Sequence, residues 1–187
     1  MKRNQVRVIG GKWRSRQIHF PDLPGLRPTP DRIRETLFNW LAPHIVDARC
    51  LDLFAGSGAF GFEALSRGAR HVILVEQNPA IIIALQKNAD TFKADQLDII
   101  QQDALSWLKL DNHHTPFDII FLDPPYQAKL LPSVFVLLET YGWLHVNSFI
   151  YFEADYPLAE TALPPHWKLV REKKAGNIYY FLAQKIS

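Results

Sequence analysis

The sequence predicts an α/β fold: a doubly wound, mostly parallel sheet closed by a C-terminal antiparallel β-hairpin. Three observations predict it. From residue 50 onward, short apolar runs alternate with helix-forming runs at the length of βαβ units. A glycine-rich turn, Gly56-Ser57-Gly58, joins the first apolar run to the next helix. The last two β-rich runs, residues 167–174 and 177–184, are separated only by Ala175-Gly176. No helix fits between them, so they must pair antiparallel at the sheet's edge.

The elements follow in order. Residues 6–20 alternate loosely around Gly10-Gly11, and Val6, Val8, Trp13, Ile18 and Phe20 suit two short strands. Residues 21–29, rich in Pro and Gly, form a loop. Thr29 reads as an N-cap and Pro30 as a first helical position. The helix runs to about Leu41, with Ile33, Leu37, Trp40 and Leu41 at apolar spacing. Strands are expected at 50–54, 71–75, 97–101, 117–122 and 149–153. Helices are expected at 59–66, 79–91 (capped by Asn78), 103–108 and 130–140. Residues 1–42 form a small basic extension, and residues 43–187 the main domain.

Composition narrows the function. A chain of 187 residues suits one domain with an appendage. It buries roughly 70% of its unfolded surface, enough to fold without a metal or disulfide. The single Cys50 excludes a disulfide scaffold and fits a reducing compartment. No Cys/His cluster has zinc spacing, so no metal is expected. His113 and His114, beside Asp111 and Asn112, read as a solvated loop tip. No apolar stretch approaches the roughly 20 residues of a membrane span. The basic start, MKRNQVRVIGGKWRSRQ, lacks the apolar core of a secretory signal. A cytoplasmic protein is expected.

Charge is unevenly spread. Residues 1–34 carry nine Lys/Arg against two acids, and the remainder twelve against seventeen. Such asymmetry suits a polyanionic partner for the basic arm, with nucleic acid ahead of a merely solvated extension.

The glycine turn lies in Asp52-Leu53-Phe54-Ala55-Gly56-Ser57-Gly58-Ala59-Phe60-Gly61. Gly56-x-Gly58-x-x-Gly61 also matches the dinucleotide fingerprint, and Glu76, twenty residues after Gly56, suits ribose hydroxyls in either reading. Two features favour S-adenosylmethionine. Asp52, at the end of the first strand, repels a pyrophosphate but suits an ammonium and a sulfonium. Asp103, after Gln102 at the end of the third strand, can accept from an adenine amino group. Three strands thus end in carboxylates at the edge where open α/β sheets bind ligands. Singly, each acid could be only a helix cap. Phe54, Gln77 and Ala104 border these positions and complete the candidate cofactor set of Asp52, Phe54, Gly56, Gly58, Glu76, Gln77, Asp103 and Ala104. A doubly wound sheet with this terminal hairpin is the pattern of class I methyltransferases.

Asp123-Pro124-Pro125-Tyr126 follows the apolar run 117–122. A proline-rich strand exit explains the prolines but not the carboxylate and aromatic together. Amino-group methylation explains all four. An exocyclic amine is a poor nucleophile because its lone pair is delocalised into the ring. Asp123 and the Pro124 carbonyl can accept its two protons and localise that lone pair. Prolines fix φ and remove a competing donor. Tyr126 can stack on the extruded base.

These residues resemble the RsmD family of bacterial 16S rRNA guanine-N2 methyltransferases. The resemblance covers nearly the whole chain. It rests on Arg27-Pro28-Thr29-Pro30-Asp31-Arg32, on Arg34-Glu35-Thr36-Leu37-Phe38-Asn39, on the glycine motif and on the Asp123 tetrapeptide. Pro30 stands where a Thr or Ser is expected, a harmless departure at a first helical position. The resemblance implies S-adenosylmethionine as cofactor, and as substrate one guanine of 16S RNA, read within the small-subunit particle by a monomer. It gives the basic arm a role: Arg14, Arg16, Arg27, Arg32 and Arg34 as phosphate contacts, with Trp13 stacking. Arg34 and Glu35 could instead pair locally or border the cofactor pocket. Three alternatives remain: a DNA adenine-N6 methyltransferase, a nicotinamide oxidoreductase, and a non-catalytic RNA-binding protein on the same fold.

Overall fold

The computed structural model describes residues 4–110, 115–125, 129–158 and 162–187. The His113-His114 turn and Tyr126 lie outside the described residues. At the N-terminus, β1 (Gln5–Arg7) pairs antiparallel with β2 (Gln17–His19), Val6 opposite Ile18. Between them, Gly11–Trp13 forms a single 3₁₀ turn. Helix α1 (Asp31–Leu41) follows. The main domain then alternates: β3 (Arg49–Asp52), α2 (Ala59–Ser66), β4 (His71–Glu76), α3 (Pro79–Phe92), β5 (Leu97–Gln101), α4 (Ala104–Leu108), β6 (Phe117–Leu122) and α5 (Leu131–Thr140). It ends with β7 (Leu144–Ala154), β8 (Trp167–Ala175) and β9 (Ile178–Lys185).

Seven of these strands form one sheet in the order β5-β4-β3-β6-β7-β9-β8. β3 to β7 are parallel, whereas β9 runs antiparallel between β7 and β8. The expected fold class is the one observed. Strand alternation sorts the core into two layers. Cys50, Val72, Leu74, Ile119, Phe121, Phe149 and Tyr151 face one side, under α1, α2 and α3. Leu51, Ile73, Val75, Ile120, Leu122, Ile150 and Phe152 face the other, under α4 and α5. Because the strands run parallel, β3, β4, β5, β6 and β7 all end at one edge of the sheet.

Several boundaries shift by a residue or two, with β3 ending at Asp52 rather than at 54, and two differences have a visible physical cause. β7 begins at Leu144 rather than Phe149, because Ser148 is buried and its hydroxyl donates to the Phe117 carbonyl, carrying pairing past a polar stretch. At α1, Pro30 occupies the N-cap position with φ −53° and ψ 144°, and no side chain caps the helix. The Thr29 hydroxyl is engaged elsewhere.

The basic arm is docked on the main domain. Val6, Val8, Trp13 and Ile18, with Ile33, Leu37, Phe38 and Leu41 of α1, bury into the same layer as Phe62 and Phe92. Its backbone is held by buried polar groups of α2 and α3, as buried donors require. The Glu63 carboxylate accepts from Ile9 N at 2.6 Å and Gly10 N at 2.8 Å. Ser66 Oγ accepts from Trp13 N, and the Asn88 amide bonds both backbone groups of His19.

This docking corrects two expectations for RNA contact. Trp13 does not stack on nucleic acid: it is buried, with its ring centroid 5.0 Å from that of Phe92. Arg34 does not reach phosphate: its side chain has no exposure, bonds Asp31 Oδ1 at 2.6 Å, and lies 3.8 Å from Glu63. A guanidinium desolvated in the core needs acids around it, and these two supply them.

Candidate active site

The glycine turn follows β3 directly. Gly56 (φ 49°) and Gly58 (φ 77°) take left-handed conformations that L side chains disfavour. At Gly58 a Cβ would also stand 2.7 Å from Leu85 Cδ2 and 2.9 Å from the Phe62 ring. Glu76, the last residue of β4, ties the turn down: its carboxylate accepts from Gly56 N at 3.1 Å and from Asn78 N at 2.8 Å.

Asp52, the last residue of β3, is buried beneath this turn. Its Oδ2 accepts from Gly61 N of α2 at 3.2 Å, while its buried Oδ1 has no hydrogen-bond partner among the described residues. Burial pushes its pKa from 3.8 up to about 7, the Gly61 bond pulls it down, and the Glu76 carboxylate adds to the rise. An orphaned buried carboxylate oxygen beside a second acid fits a cationic ligand group and opposes a pyrophosphate.

The remaining candidate cofactor residues gather at the same edge. Phe54 is half-buried after β3, and Gln77 is exposed after β4. Asp103 N-caps α4, accepting from Ser106 N at 2.8 Å, so the simple capping role is real for this residue. Ala104 is buried in the first turn of α4.

Asp123 stands one residue beyond β6, with Pro124 buried and Pro125 exposed. The register Asp52–Phe121 and Phe121–Tyr151 places Asp52, Asp123 and Glu153 on the same sheet face, at the ends of three adjacent strands. Thr29 Oγ1 lies 3.1 Å from Asp123 Oδ2 and 2.9 Å from Glu153 Oε1. The Tyr151 hydroxyl donates to the same Glu153 oxygen at 2.7 Å. Burial and the facing Glu153 carboxylate hold the Asp123 carboxyl well above the usual range. The Thr29 bond opposes this, and Asp52 adds a little. A small cleft beside Pro124 and Pro125 is lined by Glu153, Ala154 and Tyr156. A wider hollow of about 390 Å³, beside His44, Asp118 and His145, lies at the opposite end of the sheet and meets none of these acids.

Sequence reasoning missed Thr29, Tyr151 and Glu153 as site residues. Glu153 had a readable signal: it ends the fifth apolar strand as Asp123 follows the fourth. Thr29 had none, because its partners are 94 and 124 residues away. The loop carrying it also passes over the glycine turn, where Leu26 Cδ1 would stand 3.2 Å from a Cβ on Gly56.

The candidate phosphate-binding arginines divide. Arg14, Arg27 and Arg32 are exposed. Arg16 is exposed but lies over the Phe92 ring at 4.2 Å and donates to the Thr91 carbonyl at 2.7 Å. Arg34 is the core residue described above.

Sheet order, the terminal hairpin and acids at the strand ends around a glycine turn together define a class I methyltransferase. Residues 6–184 match the family described as "Conserved hypothetical protein 95". The chain belongs to this family, the RsmD family. An Escherichia coli protein named ribosomal RNA small subunit methyltransferase D is 49% identical over 181 residues, covering 97% of this chain and 90% of its own. A Haemophilus influenzae protein of the same name is 43% identical over 186 residues, covering 97% and 95%. A solved structure described as putative methyltransferase yhhF from Escherichia coli superposes with a TM-score of 0.87 at 48% identity. It covers 98% of this chain and 99% of its own.

Proposed function

We propose that this protein transfers a methyl group from S-adenosylmethionine to N2 of a guanine in 16S ribosomal RNA. The observation that carries the reading is Asp123, held before two prolines at the sheet edge and on the same face as the orphaned Asp52. The relatives' printed name supports the RNA substrate.

Asp52, Gly56, Gly58 and Glu76 would hold the cofactor, with Phe54, Gln77, Asp103 and Ala104 at its border. Bound there, S-adenosylmethionine supplies an activated methyl group. Asp123 accepts one amino proton of the target guanine, and the Pro124 carbonyl accepts the other. These bonds localise the lone pair on nitrogen, and Tyr126 stacks on the base. The nitrogen would take the methyl group from the sulfur of S-adenosylmethionine and then lose one proton, and Asp123 is the adjacent acceptor. Catalysis here is positioning and electrostatics. Arg14, Arg16, Arg27 and Arg32 contact phosphates. The substrate is the small-subunit particle, met in the cytoplasm by a monomer. Among the described residues, no helix is long and apolar enough to cross a membrane.

The test is methyl transfer from labelled S-adenosylmethionine to three acceptors: unmodified small subunits, their RNA stripped of protein, and unmethylated duplex DNA. Label in subunits, recovered as N2-methylguanosine, is the expected result. Label only in DNA, as N6-methyladenine, overturns the substrate. Asp123→Ala should abolish turnover and leave cofactor affinity nearly intact. Equal loss of both would make Asp123 a cofactor ligand instead.

A further inference from the structure

The Thr29 hydroxyl stands within hydrogen-bond reach of two carboxylates at once, 3.1 Å from Asp123 Oδ2 and 2.9 Å from Glu153 Oε1. A hydroxyl has one proton to donate. Both contacts are satisfied only when one of the carboxyls carries a proton and donates it to Oγ1. Two ionised carboxylates this close, with Glu153 fully buried, repel strongly. The arrangement therefore describes a pair that holds one proton between its members.

The surroundings say where that proton rests. Glu153 Oε1 is the acceptor of the Tyr151 hydroxyl and lies within reach of Thr29, so two donors stabilise it as an anion. Asp123 then holds the proton and donates it to Thr29. Among the described residues, groups that face the pair include Asp52 on β3, Tyr180 paired opposite Glu153 on β9, and Arg34 on α1, whose Nε donates to the Thr29 carbonyl. That last bond fixes the loop carrying the hydroxyl.

A neutral Asp123 is a poor acceptor for an amine. We propose that Glu153 is a positioning residue which takes the shared proton through Thr29 when the target amine binds, leaving Asp123 ionised as the acceptor. This rests on the methyltransferase reading above. The transfer balances. The Asp123 Oδ2–H bond breaks and a Thr29 Oγ1–H bond forms. The hydroxyl's original proton passes to Glu153 Oε1. No charge is created; the anion moves from Glu153 to Asp123, next to the amino group. Methyl transfer then leaves the amine's proton on Asp123, which is only partly buried and can return it to water.

Two measurements test this. The first needs no RNA: the infrared band of protonated carboxyl groups at pH 8. Glu153→Gln keeps an acceptor for Tyr151 and Thr29 but removes the facing charge, so Asp123 ionises alone. The band should lose intensity in Glu153→Gln and in Asp123→Asn. An unchanged band in both variants overturns the shared proton. The second is the pH profile of kcat. Thr29→Val, which breaks the relay while both carboxyls remain, should lower kcat about tenfold, the loss of about one hydrogen bond, with the KM for S-adenosylmethionine unchanged. Thr29→Ser should restore the rate. Glu153→Gln should shift the acid limb to lower pH, because Asp123 no longer faces an anion. A kcat profile identical to the parent's in Glu153→Gln and Thr29→Val overturns the proposal. Failure of the parent protein to methylate RNA would overturn the proposed function instead, and the infrared band would still decide whether the proton is shared.

Discussion

Replacing Asp52 with Asn should make the protein more stable and less able to bind its cofactor. The carboxyl is buried, one oxygen has no partner among the described residues, and its pKa is pushed from 3.8 to about 7. Moving the value that far makes the ionised form cost on the order of 4 kcal/mol in the folded protein. The sign follows from the direction. A raised folded pKa means the stabilising contribution is full below pH 3.8 and is lost as pH rises through about 7. Asn cannot ionise, and its carbonyl keeps the bond from Gly61 N. Its NH2 group takes the place of the orphaned oxygen and leaves a buried donor unsatisfied, at about 1–3 kcal/mol. The net gain at pH 8 is about 1–3 kcal/mol, which raises Tm by roughly 3–10 °C in a chain of this size. At pH 5 only about 2 kcal/mol of that cost remains, because the unfolded carboxyl is ionised while the folded one is neutral, and the unsatisfied Asn donor cancels the gain. The assay is thermal unfolding of parent and variant from pH 5 to 8. Asp123 also raises stability at low pH and feels the Asp52 charge, so the comparison is made in an Asp123→Asn background, where the difference between parent and variant isolates Asp52. S-adenosylmethionine should stabilise the parent at pH 8 and have little effect on the variant. A variant less stable than the parent at pH 8, or equally pH-dependent, would refute the assignment of that cost to Asp52.

Two further outcomes are expected. Gly58→Ala should destabilise the fold by about 2–4 kcal/mol, because it adds left-handed strain to a 2.7 Å contact with Leu85, and denaturant unfolding measures this. Replacing Arg14 and Arg32 together should weaken RNA binding and lower the slope of log K against log salt by about 1–2. An unchanged slope would remove the arm from the RNA interface.

The parallel core was legible because its cause is local. Each central strand is a continuous apolar run, and each helix opens with its own turn or cap, such as Asn78 accepting from Ala80 N. Period-2 alternation within those runs even sorts the two core layers. The basic arm was harder to read. Charge counting described a segment reaching outward, yet its backbone is bound by Glu63, Ser66 and Asn88. These polar residues lie inside the helices α2 and α3. Nothing in the neighbourhood of Glu63 marks it as the acceptor for two amides more than 50 residues earlier. For the same reason Arg34 reads in sequence as a phosphate contact, a local ion pair or a border of the cofactor pocket, and only folding brings Glu63 beneath it.

At the site, the residues visible in sequence are those whose geometry the backbone dictates. Glycines at positive φ must be glycines, and an acid before two prolines stands out wherever it falls. What the sequence hides is the state of each acid, because that depends on which groups face it across strands. Asp52 and Asp123 are the same residue type at neighbouring strand ends. Asp52 is lifted chiefly by loss of water and keeps one bare oxygen toward the ligand edge. Asp123 also faces Glu153 across the next strand and shares a hydroxyl with it. The parity that puts Glu153 on that face was already written in the strand 149–153, where alternate residues must point the same way. Applying that parity to every acid at a strand's end, and not only to those in familiar motifs, would have found the pair. Thr29 would still have been missed, since a threonine before a proline and a helix has a sufficient local explanation. Its distant role becomes visible only when the N-cap position is found to be occupied by Pro30.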